Sequence, residues 1–248
     1  MPLNSTDGFP HPENPNVPIW RYMDFTKFVS LLDSGALFFA RADCLGDPFE
    51  GSRTQADLKE RARIFSEKGV PAEWVDHWGR GLEDLRQSTF ISCWHMNEHE
   101  SAAMWKLYAQ TNEAIAVRST YAHLRDLLDE PGEEFRLAPV KYIDFQNDLM
   151  TPDSLLSPFF HKRRSFEHER EVRAMVQWIA TDSEQYRADP TWREGACLVE
   201  LDLTKLIQSV YVAPSSPAWF RPLIHSVIKR YGYNFDVHQS SLDDAPLF

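Results

Sequence analysis

Apolar residues recur along the chain with two periods, one helical and one strand-like, in an irregular order. Residues 24–35 show the helical period, with Asp24 placed to cap the first turn and Gly35 to end the last. The same criteria predict helices at 54–68, 72–86, 98–110, 121–128, 155–162 and 218–231. Alternation and apolar composition predict strands at 19–22, 36–40, 88–94, 114–118, 136–142, 169–176, 196–201, 210–213 and 234–238.

The order of these elements predicts the fold class. Helices and strands alternate without the regular spacing of βαβ units, so we expect an α+β fold. Its core should be a mixed, mainly antiparallel sheet around a cleft, with helices packed outside. Residues 1–18 contain five prolines and predict an extended or disordered arm. Residues 19–248 then form a single domain with a helical insertion at about 54–86, and 182–194 reads as a polar loop.

Composition narrows the class of protein. The chain of 248 residues is 43% hydrophobic and 25% charged, which is typical of a globular domain. No apolar run reaches the roughly 18 residues of a membrane span. The amino terminus lacks a secretory pattern, so Cys44, Cys93 and Cys197 are expected to be reduced thiols in a cytoplasmic protein. Their wide spacing, and histidines without paired ligand spacing, lead us to expect no structural metal.

The net charge of the chain limits the kinds of ligand and partner that it is expected to bind. The formal net charge of −11 disfavours binding to a nucleic-acid backbone, which depends on clustered cations. One local exception is the basic run His161-Lys162-Arg163-Arg164, which suits a small anionic ligand such as a nucleotide. The same cations could instead neutralise the neighbouring glutamates.

The densest mixture of acids, bases and strand-forming residues lies at 163–176. Read with the period of a strand, its apolar face carries Val172, and its charged face carries Glu169, Glu171 and Arg173. Two carboxylates beside an arginine predict a site on the floor of a cleft. Structural ion pairs on a half-exposed strand produce the same pattern.

A second candidate is the segment at 41–52, which its two glycines and one proline predict to be a loop. It carries Asp47, Phe49 and Glu50, residues suited to ligand contacts. The alternative is an Asx-type turn in which Asp47 binds backbone amides and Phe49 is a buried anchor.

A series of short motifs spans residues 19 to about 176. They are Trp20-Arg21-Tyr22, Leu37-Phe38-Phe39-Ala40, Gly46-Asp47-Pro48-Phe49-Glu50-Gly51, Ile91-Ser92-Cys93-Trp94, Glu100-Ser101, Met104-Trp105, Tyr108, Val140-Lys141-Tyr142 and Phe166-Glu167-His168-Glu169-Arg170-Glu171-Val172-Arg173. In their order and spacing they resemble the bacterial domain of unknown function 2971 family. The resemblance implies membership of a family whose chemistry is undefined.

Three further features lie on predicted strands and follow one another along the chain, namely Arg21, Ser92 and Glu169-Arg170-Glu171. In this order they resemble the ADP-ribosyltransferase fold of the Arg-Ser-Glu type. The chain departs from it in having Ser92-Cys93-Trp94 where Ser-Thr-Ser is usual. The resemblance implies an NAD-directed transferase or glycohydrolase, with NAD as substrate and a protein as one candidate acceptor.

The resemblance also implies roles. Glu171 stabilises an oxocarbenium-like transition state, Glu169 orients the acceptor, and Ser92 braces the nicotinamide pocket. Arg21 holds the phosphates or ribose. The aromatic side chains that could stack on nicotinamide or adenine, and that could equally be core, are Tyr22, Trp94 and Trp105.

Two other classes fit the same residues. A metal-assisted phosphoester hydrolase would gather Asp47, Glu50, Glu169, Glu171 and His95 around a divalent ion. A non-catalytic module would use the charged cleft to bind a ligand or partner, with the glutamates in structural ion pairs. The sequence therefore does not decide whether the protein is an enzyme.

Overall fold

The computed structural model describes residues 8–71, 73–108, 111–129, 134–151, 154–177 and 195–246. Its helices are α1 (Phe25–Ser34), α2 (Gln55–Glu67), α3 (Glu73–Gln87), α4 (Ala102–Tyr108), α5 (Tyr121–Leu128), α6 (Leu203–Leu206) and α7 (Phe220–Arg230). Its strands are β1 (Pro18–Asp24), β2 (Ala36–Arg41), β3 (Thr89–Met96), β4 (Ala114–Thr120), β5 (Arg136–Pro139), β6 (Lys141–Ile143), β7 (His161–Arg163), β8 (Glu171–Gln177), β9 (Ala196–Glu200), β10 (Ser209–Val212) and β11 (Asp236–Gln239). Short 3-10 helices occur at Ala42–Cys44, Ser157–Phe159, Arg164–Glu169 and Ser241–Asp243.

These elements confirm the α+β class with a mixed, mainly antiparallel sheet. The chain divides into two compact units. The first unit comprises Met1–His11, Phe39–Ser92 and Pro131–Leu198, and the second comprises Pro12–Phe38, Cys93–Glu130 and Val199–Phe248. The single domain at 19–248 stays a prediction, and the polar loop predicted at 182–194 lies outside the described residues. None of the described helices combines the length and the apolar character that a membrane span requires.

In the second unit, β4 lies between two antiparallel neighbours. Trp20 of β1 pairs with Arg118, and Val210 of β10 pairs with Val117, while β10 and β11 run parallel. The predicted bounds of α1 are confirmed. The Asp24 side chain accepts a hydrogen bond from the Lys27 amide, and Gly35 ends the helix at φ 60°, a left-handed conformation that favours glycine.

The predicted helix at 98–110 begins late, at Ala102. The Ser101 amide donates to the Tyr22 hydroxyl at 2.8 Å, and the Ser101 hydroxyl accepts from the Met104 amide at 3.4 Å. Ser101 therefore lies just before the helix, and its hydroxyl caps the first turn. Four buried residues of β1 and α4 pack together with the partly buried Tyr211 of β10. We call these five residues, Trp20, Tyr22, Met104, Trp105 and Tyr211, the aromatic cluster.

In the first unit, β8 pairs with β5 in antiparallel fashion, with Leu137 opposite Ala174, and also pairs with β3. The predicted strand at 136–142 is two strands, because the backbone changes partner at residue 140. The Val140 amide donates to the Glu171 carbonyl at 2.8 Å, whereas the Lys141 amide donates to the Phe160 carbonyl at 2.9 Å. The second piece, β6, runs parallel to β7.

The predicted helix at 155–162 is wrong. A 3-10 turn occupies Ser157–Phe159, and β7 begins at His161. Pro158 lacks the backbone N–H that a longer helix would need at that position, which restricts it to a first turn. Both following aromatic residues, Phe159 and Phe160, are fully buried, and Phe160 lies 4.6 Å from the ring of Phe9. Residue 9 of the predicted arm is thus part of the core of this unit.

Candidate functional site

Arg173, in the middle of β8, is held by two carboxylates in the first unit. Its Nε and Nη2 donate to the two oxygens of Glu171 at 3.0 and 3.1 Å. Its Nη1 and Nη2 donate to the two oxygens of Glu50 at 2.7 Å each, and Nη1 also donates to the Phe159 carbonyl at 2.7 Å. These bonds provide an acceptor for each of the five N–H groups of the guanidinium. Such two-point pairs are the strongest ionic hydrogen bonds in proteins.

Lys162 of β7 joins three carboxylates. Its Nζ lies 2.5 Å from Glu169, 3.4 Å from Glu171 and 3.5 Å from Glu50. Burial alone would lower the pKa of Lys162, but the carboxylates of Glu171 and Glu50 outweigh it and raise that pKa above its ordinary value. The lysine is therefore a fixed cation. We call Glu50, Lys162, Glu169, Glu171 and Arg173 the ionic cluster.

The ionic cluster has a charge imbalance and little exposure. Three carboxylates and two cations give the five residues a formal net charge of −1. Relative exposure is 1% for Arg173 and 8% for both Lys162 and Glu169, with the other two members in between. Charges in so dry a place interact more strongly than they would in water.

The segment Glu169-Arg170-Glu171 forms a corner rather than a strand. Glu169 ends the 3-10 helix, Arg170 adopts φ 40°, and Glu171 begins β8. Among the described residues, Arg170 is the only one other than glycine with a positive φ. This strained turn directs two glutamates towards the same lysine. The strand predicted at 169–176 is confirmed from Glu171 onward but is wrong at its start, because Glu169 precedes it. Arg173 is buried and does not line an exposed floor.

The loop at 41–52 contributes Glu50 and Asp47. The Asp47 Oδ1 atom accepts from the Phe49 amide at 3.1 Å and from Arg163 at 2.8 Å, which is the Asx-type turn that the sequence allowed. Gly51 adopts φ 71°, and an added Cβ there would lie 2.8 Å from atoms of Arg86 and Phe159. Only glycine fits this turn, which fixes the neighbouring Glu50.

Phe49 is not the buried anchor of that alternative. It is 42% exposed, and the guanidinium carbon of Arg163 lies 4.3 Å from the centre of its ring. The same carbon lies 5.3 Å from the ring of Phe166. Stacking and the bond to Asp47 hold Arg163 in place. The loop is thereby attached to the end of β7, which also carries Lys162.

Ser92 lies in the part of β3 that belongs to the first unit, and it is fully buried. Its role in catalysis stays a prediction. Within the described ranges, no three His, Cys, Asp or Glu side chains are arranged to hold a metal ion.

The predicted nucleotide contacts lie in the second unit. Arg21 donates to the Phe38 carbonyl at 2.7 Å and lies 5.8 Å from the ring of Trp94. Burial lowers the pKa of Arg21 to about 10, and Cys93 partly opposes this shift. Trp94 is 2% exposed, and its Nε1 has no hydrogen-bond partner among the described residues. A buried N–H donor beside a cation suits an oxygen acceptor.

The other two predicted contacts are core residues. The rings of Tyr22 and Trp105 meet edge to face at 4.9 Å, and both side chains are buried. Trp105 Nε1 donates to Glu100 at 2.9 Å. Their contacts favour the packing role that the sequence left open.

Sequence reasoning did not assign Lys162, Arg163 or Tyr142 to the site. The basic run was visible as a pattern, and of its two interpretations the structure favours neutralisation of the neighbouring glutamates, because Lys162 Nζ lies 2.5 Å from Glu169 and 3.4 Å from Glu171. Tyr142 appeared only at the end of a predicted strand and in the motif Val140-Lys141-Tyr142, without a role. Its hydroxyl accepts a hydrogen bond from the Glu171 amide at 2.8 Å.

Comparison with known proteins identifies no family, since no family model and no curated protein match the chain. Membership of the domain of unknown function 2971 family therefore stays a prediction.

Three solved structures of DarT from Thermus sp. 2.9 are similar to the chain, and each alignment covers 93% of it. The complex with NAD+ has a TM-score of 0.41 at 11% identity and is 97% covered. The complex with ADP-ribosylated single-stranded DNA has a TM-score of 0.41 at 9% identity and is 95% covered. The complex with carba-NAD+ has a TM-score of 0.38 at 10% identity and is 97% covered.

A likeness this weak carries no argument about fold or activity. The fold class rests on the paired strands, and the ligands are properties of DarT. The expectation that binding to a nucleic-acid backbone is disfavoured stays a prediction for this chain.

Proposed function

We propose that the protein acts on NAD as an ADP-ribosyltransferase-like or glycohydrolase-like enzyme, with the ionic cluster as its source of negative charge. The observation that supports this proposal is the arrangement of three buried carboxylates around two cations. The five residues carry a net charge of −1 in a nearly dry space. Charge held in this way suits the stabilisation of a developing cation.

The reaction needs such a charge. When the bond between ribose C1 and the nicotinamide nitrogen breaks, its electron pair leaves with neutral nicotinamide. The ribose is left as an oxocarbenium ion, which an acceptor oxygen or nitrogen then attacks with loss of a proton. Preorganised anions lower the energy of this transition state because they need not reorient during the step.

Glu171 and Glu169 can take different roles in this reaction. Glu171 is fixed by the fork from Arg173, which suits a constant electrostatic role. The Glu169 side chain is 11% exposed, the largest value among the three carboxylates of the ionic cluster. That exposure suits the residue that receives the proton of the acceptor.

Two tests on the wild-type protein come first. Isothermal titration calorimetry should show binding of NAD, and chromatography should show release of nicotinamide. A wild-type protein that neither binds NAD nor releases nicotinamide would overturn the proposal.

Glu169→Gln is the sharpest variant, because Lys162 keeps its contacts with Glu50 and Glu171. We expect kcat to fall at least tenfold, while affinity for NAD stays within about threefold. Glu167→Gln is the matched control, since Glu167 lies in the same 3-10 helix with an exposed side chain. It should retain wild-type kcat.

A non-catalytic binding module is the second candidate. The observation that favours it is the saturation of the Arg173 guanidinium, which is typical of a structural ion pair. On this alternative, Glu169→Gln changes the free energy of unfolding and no reaction rate.

The metal-assisted alternative is less favoured. The carboxylate oxygens that it needs accept N–H groups of Lys162 and Arg173, and Asp47 accepts from Arg163. Calorimetric titration with Mn2+ tests this alternative directly, because stoichiometric binding of the ion would favour the metal-assisted reaction.

A further inference from the structure

Tyr142 occupies a position on the edge of the ionic cluster that the proposed reaction has not yet used. It lies in β6, directly opposite Lys162 in the parallel pair with β7. Paired residues of parallel strands present their side chains on the same face of the sheet. Tyr142 and Lys162 therefore share a face, and the Tyr142 side chain is only partly buried.

The Tyr142 hydroxyl uses its oxygen as an acceptor within the described structure, but not its proton as a donor. The oxygen accepts from the Glu171 amide at 2.8 Å. Among the residues that the structure describes, no acceptor for the hydroxyl proton lies within hydrogen-bonding distance. Burial raises the pKa of Tyr142 above its ordinary value, so the phenol keeps this proton at physiological pH.

We propose that the Tyr142 hydroxyl donates a hydrogen bond to a neutral oxygen of the ligand that the ionic cluster receives. The Glu171 amide fixes the phenol oxygen, and the remaining O–H is the donor that a ligand can use. Nearby carboxylates disfavour an anionic acceptor, which leaves a carbonyl or a hydroxyl oxygen as the chemical class. This inference rests on the proposed function, with NAD as the probe.

Calorimetry with Tyr142→Phe tests the donor. The variant keeps the ring and removes the O–H, and we expect NAD affinity to fall about tenfold, the effect of one hydrogen bond. Tyr121→Phe is the control, because it removes a phenol that is fully buried in the second unit. Its NAD affinity should equal that of the wild type even if its melting temperature falls.

A second measurement separates binding from structure. Replacing Tyr142 by a polyfluorinated tyrosine lowers the pKa of the phenol and keeps its oxygen. A phenolate can still accept from the Glu171 amide but cannot donate to a ligand. We therefore expect the substituted protein to lose NAD affinity as pH rises through that pKa, while the unsubstituted protein keeps its affinity over the same pH range.

Two fragments of the probe locate the acceptor. Nicotinamide carries the carboxamide oxygen alone, and ADP-ribose carries the ribose hydroxyls without it. The fragment whose affinity falls in Tyr142→Phe contains the acceptor.

If wild-type protein binds NAD and Tyr142→Phe binds it equally well, the inference is overturned and the proposed function stands. If wild-type protein does not bind NAD, both fall.

Discussion

The ionic cluster of the first unit and the aromatic cluster of the second unit are both buried, but they are stabilised in different ways. In the aromatic cluster, Trp20 and Tyr211 meet at 5.0 Å and Tyr22 and Trp105 at 4.9 Å. Each contact adds apolar area and edge-to-face attraction nearly independently. In the ionic cluster, Glu50 and Glu171 both bind Arg173 and both face Lys162. The energy of each charge therefore depends on all the others.

The two clusters should therefore respond differently to substitution. Removing part of an aromatic contact should reduce stability in proportion to the atoms lost. Removing one charge from the ionic cluster changes the balance for every remaining member. Its net charge of −1 makes the response unequal, because loss of a cation deepens the imbalance and loss of a carboxylate relieves it.

Arg173→Met should have the largest effect. The substitution keeps the stem of the side chain but leaves three buried carboxylates with Lys162 as their cation within the cluster. We expect the free energy of unfolding to fall by about 4 kcal/mol in urea or guanidinium titrations. Arg63→Met on the exposed face of α2 is the control and should leave the midpoint near the wild-type value. A loss below about 1 kcal/mol in Arg173→Met would show that these charges are solvated.

Glu171→Gln should cost less, about 2 kcal/mol in the same titration. The amide loses one acceptor of the Arg173 fork and points an N–H group at a donor, but the five residues become neutral. The sharp result is the order of the two variants. Equal losses in Arg173→Met and Glu171→Gln would contradict the role given to the charge imbalance.

Tyr22→Phe tests the aromatic cluster and should cost about 1 kcal/mol. The ring contact with Trp105 remains, and the Ser101 amide loses the hydroxyl that it donates to at 2.8 Å. Because the contacts here act separately, Tyr22→Phe and Arg173→Met should be additive in the double variant. A coupling energy above about 0.5 kcal/mol would show that the two clusters are not energetically independent.

The smallest effect concerns pH and His161 of β7. Burial lowers the pKa of His161, while its Nδ1–H donates to the Ser157 carbonyl at 2.7 Å. The unfolded chain binds the proton more readily, so this contribution is complete above about pH 6.5 and is lost as pH falls below it. In His161→Asn, which retains a donor, the fall in unfolding free energy between pH 7 and pH 5 should be shallower. The difference in slope must stay under about 1.4 kcal/mol per pH unit, the limit for one proton. Identical slopes would show that His161 does not titrate in this range.

The sequence predicted those parts of the fold that local chemistry determines. The helix predicted at 54–68 is confirmed as α2, and its start is locally determined, because Thr54 and Asp57 form a capping box. Gly35 ends α1 for an equally local reason.

The candidate site could be predicted only in part. The glutamates and Arg173 were identified from their pattern, but the period of a strand does not reveal whether other residues pack on its charged face. Two of the residues that pack there are Glu50 and Lys162. Glu50 binds Arg173 although they lie 123 positions apart in sequence, and Lys162 was assigned to a helix. The corner at Arg170 was missed because arginine has no preference for a positive φ.

The left-handed backbone at Arg170 has a consequence for the history of the Glu-x-Glu motif. A β-branched residue at position 170 would strain the turn, whereas glycine or asparagine would relax it at little steric expense. Selection on the two glutamates therefore also acts on the residue between them, through its backbone and not through its side chain. If position 170 is randomised, the variants that retain the left-handed turn should contain few valine or isoleucine residues there. The middle residue of the Glu-x-Glu motif in this chain is therefore restricted by its backbone conformation.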